Sequence, residues 1–181
     1  MWNYISPSLL NNWLYALQSG NIENFVDYLE RKPQQTTEAM LKGIEFEDAV
    51  YKGEKPLYNE YVKEGMYQVK VARPYNDIMI LGIIDVLQPN WIYDVKTTQH
   101  YEVGKYGKTS QHLVYPYCTG IKNFAYLVNE ECYKEDYVYQ DGQLEKLVDD
   151  FINWLKISNY YKTWKKYWIK DVKGENYEIF K

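Results

Sequence analysis

The stretch 78–98 constrains this chain more than any other, because it reads as two apolar strands that each end in an acid. The first runs Ile80-Leu81-Gly82-Ile83-Ile84-Asp85 and the second Trp91-Ile92-Tyr93-Asp94-Val95-Lys96-Thr97-Thr98. The unbroken apolar run over 78–86 predicts a central strand covered on both faces. Side chains alternate along a strand, so Asp94 and Lys96 share a face while Val95 points to the other. Two carboxylates and an ammonium at one sheet edge suit a hard divalent cation beside a group that steers a water or a phosphate oxygen. The layout predicts a metal-dependent, phosphodiester-cleaving site.

The flanking segments supply elements to frame such a sheet. Ser6 as N-cap and Pro7 at the first helical position predict a helix over 6–17, with Leu9, Leu10, Trp13, Leu14 and Leu17 as its buried stripe. Further helices are expected over 21–29 and 37–51, and 56–64 reads as irregular. A strand over 66–72 should break before Pro74, and Asn76-Asp77 should turn the chain into the central strand. A helix over 110–119 contains Pro116, strands follow over 123–128 and 133–140, and an amphipathic helix spans 143–157. The expected fold class is α/β, a central mixed β-sheet flanked by α-helices, in one domain. Its parts are N-terminal helices over 6–52, a sheet core over 66–140 and a C-terminal helical segment over 143–170.

Two more spacings complete a constellation. In the helix over 37–51, Glu47 lies one turn beyond Gly43, while Glu45 is carried to another face. In the helix over 110–119, Gln111 and Tyr115 stack four apart. The order Gly43-x-x-x-Glu47, Asp85, Asp94-x-Lys96-Thr97, Gln111-x-x-x-Tyr115 resembles the PD-(D/E)XK nuclease superfamily in its RecB-like and phage-lambda-type exonuclease branch. Ser6-Pro7-Ser8 also resembles the helix start of RecB-like nuclease domains. The resemblance runs in register over 6–128.

That resemblance implies a restriction-endonuclease-like core. It makes Glu47, Asp85, Asp94 and the backbone carbonyl of Val95 metal ligands, and Lys96 the catalytic lysine. Gln111 and Tyr115 would touch the DNA backbone or orient Lys96. Many RecB-like domains have His where this chain has Glu47. A carboxylate is a hard ligand, which favours Mg²⁺ with Mn²⁺ as substitute. The iron–sulfur cluster of some members takes four cysteines, and with only Cys118 and Cys132 no such cluster is expected. The implied activity is a metal-dependent DNA exonuclease of phage-recombination or DNA-repair type. A structure-specific or restriction-like endonuclease, or a non-catalytic DNA-binding protein on the same scaffold, are the alternatives. The implied partners are DNA, a single-strand annealing or other recombination protein, and further copies of the chain in a homo-oligomer.

Composition narrows the setting. A net charge of −4 argues against indiscriminate coating of nucleic acid and leaves DNA affinity to local cations. With 21 Tyr and 6 Trp, some rings must be exposed, where they can stack on bases or line an oligomer interface. There is no signal-peptide pattern and no apolar run of membrane length, and two cysteines make no disulfide framework. The expected location is the cytoplasm of a bacterium or a phage-infected host. His112 should be a surface histidine. The run 156–168 interleaves cations with rings: either a single-stranded DNA track or, as the spacing of Tyr160, Trp164, Tyr167 and Trp168 favours, an amphipathic helix with its rings packed on the body.

Overall fold

A computed structural model describes residues 1–180. It opens with β1 (Trp2–Ile5), a strand too short to show a period in the sequence. Ser6 then caps α1 (Pro7–Ser19), its hydroxyl accepting the Leu9 N–H at 3.4 Å, and Gly20 ends the helix with a φ of 76° that a side chain would disfavour. Asn21 caps α2 (Ile22–Leu29) and Thr37 caps α3 (Glu38–Tyr51) in the same way. The stretch expected to be irregular instead holds a 3₁₀ turn (Pro56–Tyr58) that runs into α4 (Asn59–Val62), because Tyr58 and Val62 are both buried against the sheet.

β2 (Met66–Tyr75) and β3 (Ile78–Leu87) form a long hairpin around Asn76-Asp77. β2 passes through Pro74, where a break was expected. Pro74 pairs with Met79 beyond the two residues that β8 joins, so its missing N–H falls on an open edge. The chain continues through β4 (Ile92–Lys96), α5 (Gln111–Thr119), β5 (Asn123–Val128), β6 (Tyr133–Val138) and α6 (Gln143–Ile157). It ends in α7 (Tyr161–Tyr167), β7 (Ile169–Lys170) and β8 (Glu178–Ile179), so the C-terminal segment is not wholly helical. No helix among the described residues is long and apolar enough to cross a membrane.

The eight strands make one mixed sheet with helices on its faces, which is the expected fold class. β1 runs parallel to β3, β4 to β5 and β2 to β8, and the remaining pairs are antiparallel. β2 lies along one edge of β3 for its whole length. The other edge is divided: β1 takes Ile78 to Ile80, and β4 takes only Val86 and Leu87. Between them the sheet opens, and Asp85 stands at the lip.

Alternation along β5 divides the core. Phe124, Tyr126 and Val128 pack with Leu9, Trp13, Val114, Leu144 and Phe151 of the helices on one face. Ala125 and Leu127 pack with Val50, Tyr58 and Val62 on the other. Trp164 and Trp168 are buried, their indole N–H groups donating to the carbonyls of Tyr4 at 3.1 Å and Leu29 at 2.9 Å. Their rings hold the C-terminus to the body, so they form no platform for bases.

Gly82 fixes how α5 approaches β3. A Cβ there would lie 2.6 Å from Cε1 of Tyr115 and 3.5 Å from Cδ of Pro7. Both neighbours are buried, so neither can yield cheaply. Gly82→Ala is therefore expected to destabilise the protein by about 1–3 kcal/mol, the range for overpacking a filled core. Urea unfolding would show it as a lower midpoint at unchanged slope.

Candidate functional site

The site forms where β4 leaves β3. Past the Val86–Tyr93 pair the two strands part, and the Asp85 carboxylate reaches across to accept the Val95 N–H at 2.9 Å. A side chain thus replaces the missing rung of the ladder, and Asp85 is locked to a strand that its own backbone no longer touches. Asp94 comes next on β4, opposite Tyr126 of β5, and is 1% exposed. Its Oδ2 forms an ion pair with the Lys96 ammonium, as two residues on one strand face should. That oxygen receives no hydrogen bond of regular geometry. Among the described residues it shares this condition only with the Trp13 indole nitrogen.

Glu47 arrives from the helical layer. A Cβ on Gly43 would sit 3.9 Å from Cγ2 of Thr97, so α3 passes closely along the end of β4. One turn on, Glu47 is half-buried while Glu45 is exposed, which selects Glu47 as the inward acid. Its Oε1 accepts the Tyr51 hydroxyl and, at 2.6 Å, the Gln68 amide.

α5 brings the remaining pair. Oε1 of Gln111 accepts from the Asn11 amide at 3.0 Å, and Asn11 in turn accepts both the N–H and the hydroxyl of Ser110 at 2.7 Å. The acceptor of Gln111 is engaged, so what it can offer a ligand is N–H. Tyr115 is buried on Gly82. Burial, and then the charges of Asp94 and Asp85, push its phenol well above the usual range, so it stays a neutral hydroxyl.

His112 is not the surface residue expected. It is half-buried, with its ring 4.4 Å from that of Tyr137, and burial pushes its pKa down to about 4. Asn11 and Gln68 are further members of the constellation that no motif or spacing in the sequence marks, and Tyr51 is a third, marked by its place one helical turn beyond Glu47.

The charges do not balance: Glu47, Asp85 and Asp94 face one ammonium. Burial raises the pKa of Asp85 well above the carboxylate range. The charge of Asp94, and to a lesser extent that of Glu47, adds to the effect against the opposing pull of Lys96 and the Val95 N–H. Burial likewise raises Asp94 despite its pairing with Lys96. For Lys96 burial acts downward, but Asp94 and Asp85 outweigh it, and the ammonium is held protonated.

Among the described residues no three His, Cys, Asp or Glu side chains converge closely enough, as they stand, to enclose an ion. Asp85 is turned to Val95, Asp94 to Lys96, and Glu47 to Tyr51 and Gln68. The donor set still fits a hard divalent cation. It consists of oxygens and carries surplus negative charge in a buried place.

No protein-family model and no curated protein matches the sequence. Among solved structures the chain is similar to SSO0001, with a TM-score of 0.51 and 13% identity over 85% of this chain and 77% of that one. It is also similar to a protein from Eubacterium rectale named as a candidate exonuclease, with a TM-score of 0.42 and 14% identity over 96% of this chain and 75% of that one. The first likeness shows a shared fold. The second is too weak to carry an argument.

The raised pKa of Asp85 makes a prediction about stability. A carboxyl that binds its proton more tightly in the folded state contributes stability that is full below the ordinary carboxylate range and is lost as pH rises through the raised value. At neutral pH and without metal, Asp85 therefore weakens the fold. Asp85→Asn keeps an oxygen for the Val95 N–H and leaves Asp94 and Lys96 as a balanced pair. It should stabilise the protein at neutral pH in EDTA by about 1 kcal/mol and flatten the pH dependence just above the carboxylate range. Thermal melts of both proteins in EDTA across that range check this, and identical profiles would refute it.

Proposed function

We propose that this protein is a metal-dependent nuclease of the PD-(D/E)XK superfamily that hydrolyses DNA phosphodiesters as an exonuclease of phage-recombination or DNA-repair type. The observation that carries the reading is the opening between β3 and β4. There Asp85, Asp94 and Lys96 are held together with Glu47 facing them. The residues to hold Mg²⁺, or Mn²⁺ in its place, are Glu47, Asp85, Asp94 and the Val95 carbonyl. The cation supplies Lewis acidity toward a phosphate oxygen and acidifies water.

The chain's own groups do the rest. Lys96 is kept protonated by Asp94 and Asp85, and it presents a fixed cation where negative charge grows on the phosphorus oxygens. Gln111, aligned by Asn11, gives an N–H to a phosphate oxygen. Beyond β4, Lys105 is held at 2.6 Å by both the Thr98 hydroxyl and the His100 carbonyl, which sets a second cation near the mouth of the site. Lys105 and Lys108 also line a groove of about 910 Å³ with Asn11 and the exposed Tyr15 of α1. Local cations of this kind provide for a phosphate backbone on a chain whose net charge is −4.

The test compares end-labelled linear DNA with closed circular DNA in Mg²⁺, Mn²⁺ and EDTA. Metal-dependent loss of the linear form alone is expected, with Lys96→Ala slower by about a hundred-fold or more. Asp94→Ala should lose metal binding as well as cleavage, whereas Lys96→Ala keeps most of its metal affinity, both read by calorimetric titration. Nicking of the circle would move the assignment to an endonuclease. Failure to cut either form would overturn it.

A further inference from the structure

Within the proposed nuclease site, we infer that Gln68 is a positioning residue that, with Tyr51, aims the Glu47 carboxylate at the metal. The inference rests on the proposed function for its ligand and on the geometry of β2 for its argument. In the β2–β3 hairpin, Tyr67 pairs with Val86 and Val69 with Ile84, which sets Gln68 opposite Asp85. It is the one position of the hairpin ladder where pairing lapses. There Gln68 takes a φ of 52°, a left-handed conformation in the middle of a strand and on a residue that is not glycine. Such a conformation persists only where its surroundings hold it.

The contacts of the side chain supply the reason. Nε2 of Gln68 donates to Oε1 of Glu47 at 2.6 Å and meets the Tyr51 phenol oxygen at 2.8 Å, and the Tyr51 hydroxyl donates to that same Oε1. Two donors on one oxygen fix the carboxylate plane and leave Oε2 as the oxygen that can turn to a cation. Gln68 thereby ties an acid of α3 to β2, at the position opposite Asp85 on the neighbouring strand β3. The separation of the two ligands is then set by the sheet and not by a freely rotating side chain on a helix. The residue type fits the task. A glutamine donates without charge, whereas Glu would add a fourth carboxylate and Lys would compete with the cation. Asn, which tolerates the left-handed region better, is one methylene shorter.

The test separates backbone from side chain. Gly accepts a φ of 52° without strain, so Gln68→Gly keeps or raises the melting temperature in EDTA while removing the amide. Mn²⁺ affinity, read from the electron paramagnetic resonance signal of free Mn²⁺, should fall by about 10–100-fold in Gln68→Gly and similarly in Tyr51→Phe. The double variant should be little worse than either, because both groups hold one oxygen. In cleavage assays the metal concentration for half-maximal rate should rise by the same factor, with the rate at saturating metal near that of the wild type. Should Gln68→Gly melt below the wild type, Tyr51→Phe, which leaves the backbone of β2 untouched, decides alone. Wild-type Mn²⁺ affinity in the deciding variant overturns the inference while leaving the proposed function standing. No Mn²⁺ binding by the wild type overturns both.

Discussion

The bond from the Val95 N–H to the Asp85 carboxylate holds the site open, and most of what surrounds it follows from that bond. Two adjacent antiparallel strands ordinarily continue their ladder until a turn or a bulge stops them. Here β1 and β4 share one edge of β3, and the sheet cannot satisfy both along its whole length. The amide left over at Val95 would be an orphan in a buried place, a costly state for a backbone donor. Asp85 satisfies it with a side chain. An acid is thereby fixed where β3 and β4 diverge, with Asp94 beside it on the neighbouring strand.

The arrangement sets function against stability. A buried carboxylate that accepts one amide and faces a second carboxylate is held in its charged form only at a cost, which the raised pKa of Asp85 expresses. Lys96 relieves part of it, but a single ammonium serves Asp94 first. A core built only to be stable would place an amide or an apolar side chain at one of these positions. Surplus negative charge in a buried opening has a physical use when a cation completes it, because binding then relieves repulsion as well as forming bonds.

Much of this was legible in the chain because it depends on short periods. The two-residue period of β4 puts Asp94 and Lys96 together, and the four-residue step from Gly43 picks Glu47 over Glu45. The caps at Ser6, Asn21 and Thr37 are likewise local. What could not be read is set by pairing across long separations. β1 is four residues whose partner lies some seventy positions on, and β7 and β8 are two residues each, so none shows a period. Asn11 meets Gln111 across a hundred positions. Pro74 misleads because the rule against proline in strands assumes that a neighbour wants its N–H. Gln68 has no local signature, since a left-handed glutamine in a strand is justified only by the acid it reaches.

The site draws on several segments, and specific contacts position them. Gln68 holds Glu47 of α3 to β2, Gly82 lets Tyr115 lie on β3, Asn11 aligns Gln111, and Asp85 bonds to β4. The segment after β4 is tethered as well. Glu135 of β6 is buried, and its carboxylate accepts the hydroxyls of Tyr101 and Tyr137 and the Gly104 N–H. Three neutral donors, two from the loop and Tyr137 from β6 itself, satisfy the carboxylate and hold the loop's middle against the sheet. Lys105, next to Gly104, is thereby kept within reach of Thr98 and His100. The second cation is thus positioned by the fold and not by its charge alone. A Lys that had to be drawn in by phosphate would pay side-chain entropy on binding, whereas one already bonded to a hydroxyl and a carbonyl has lost that freedom during folding. The same economy runs through Lys96, Gln111 and Glu47, whose polar groups are oriented by protein partners before any ligand arrives.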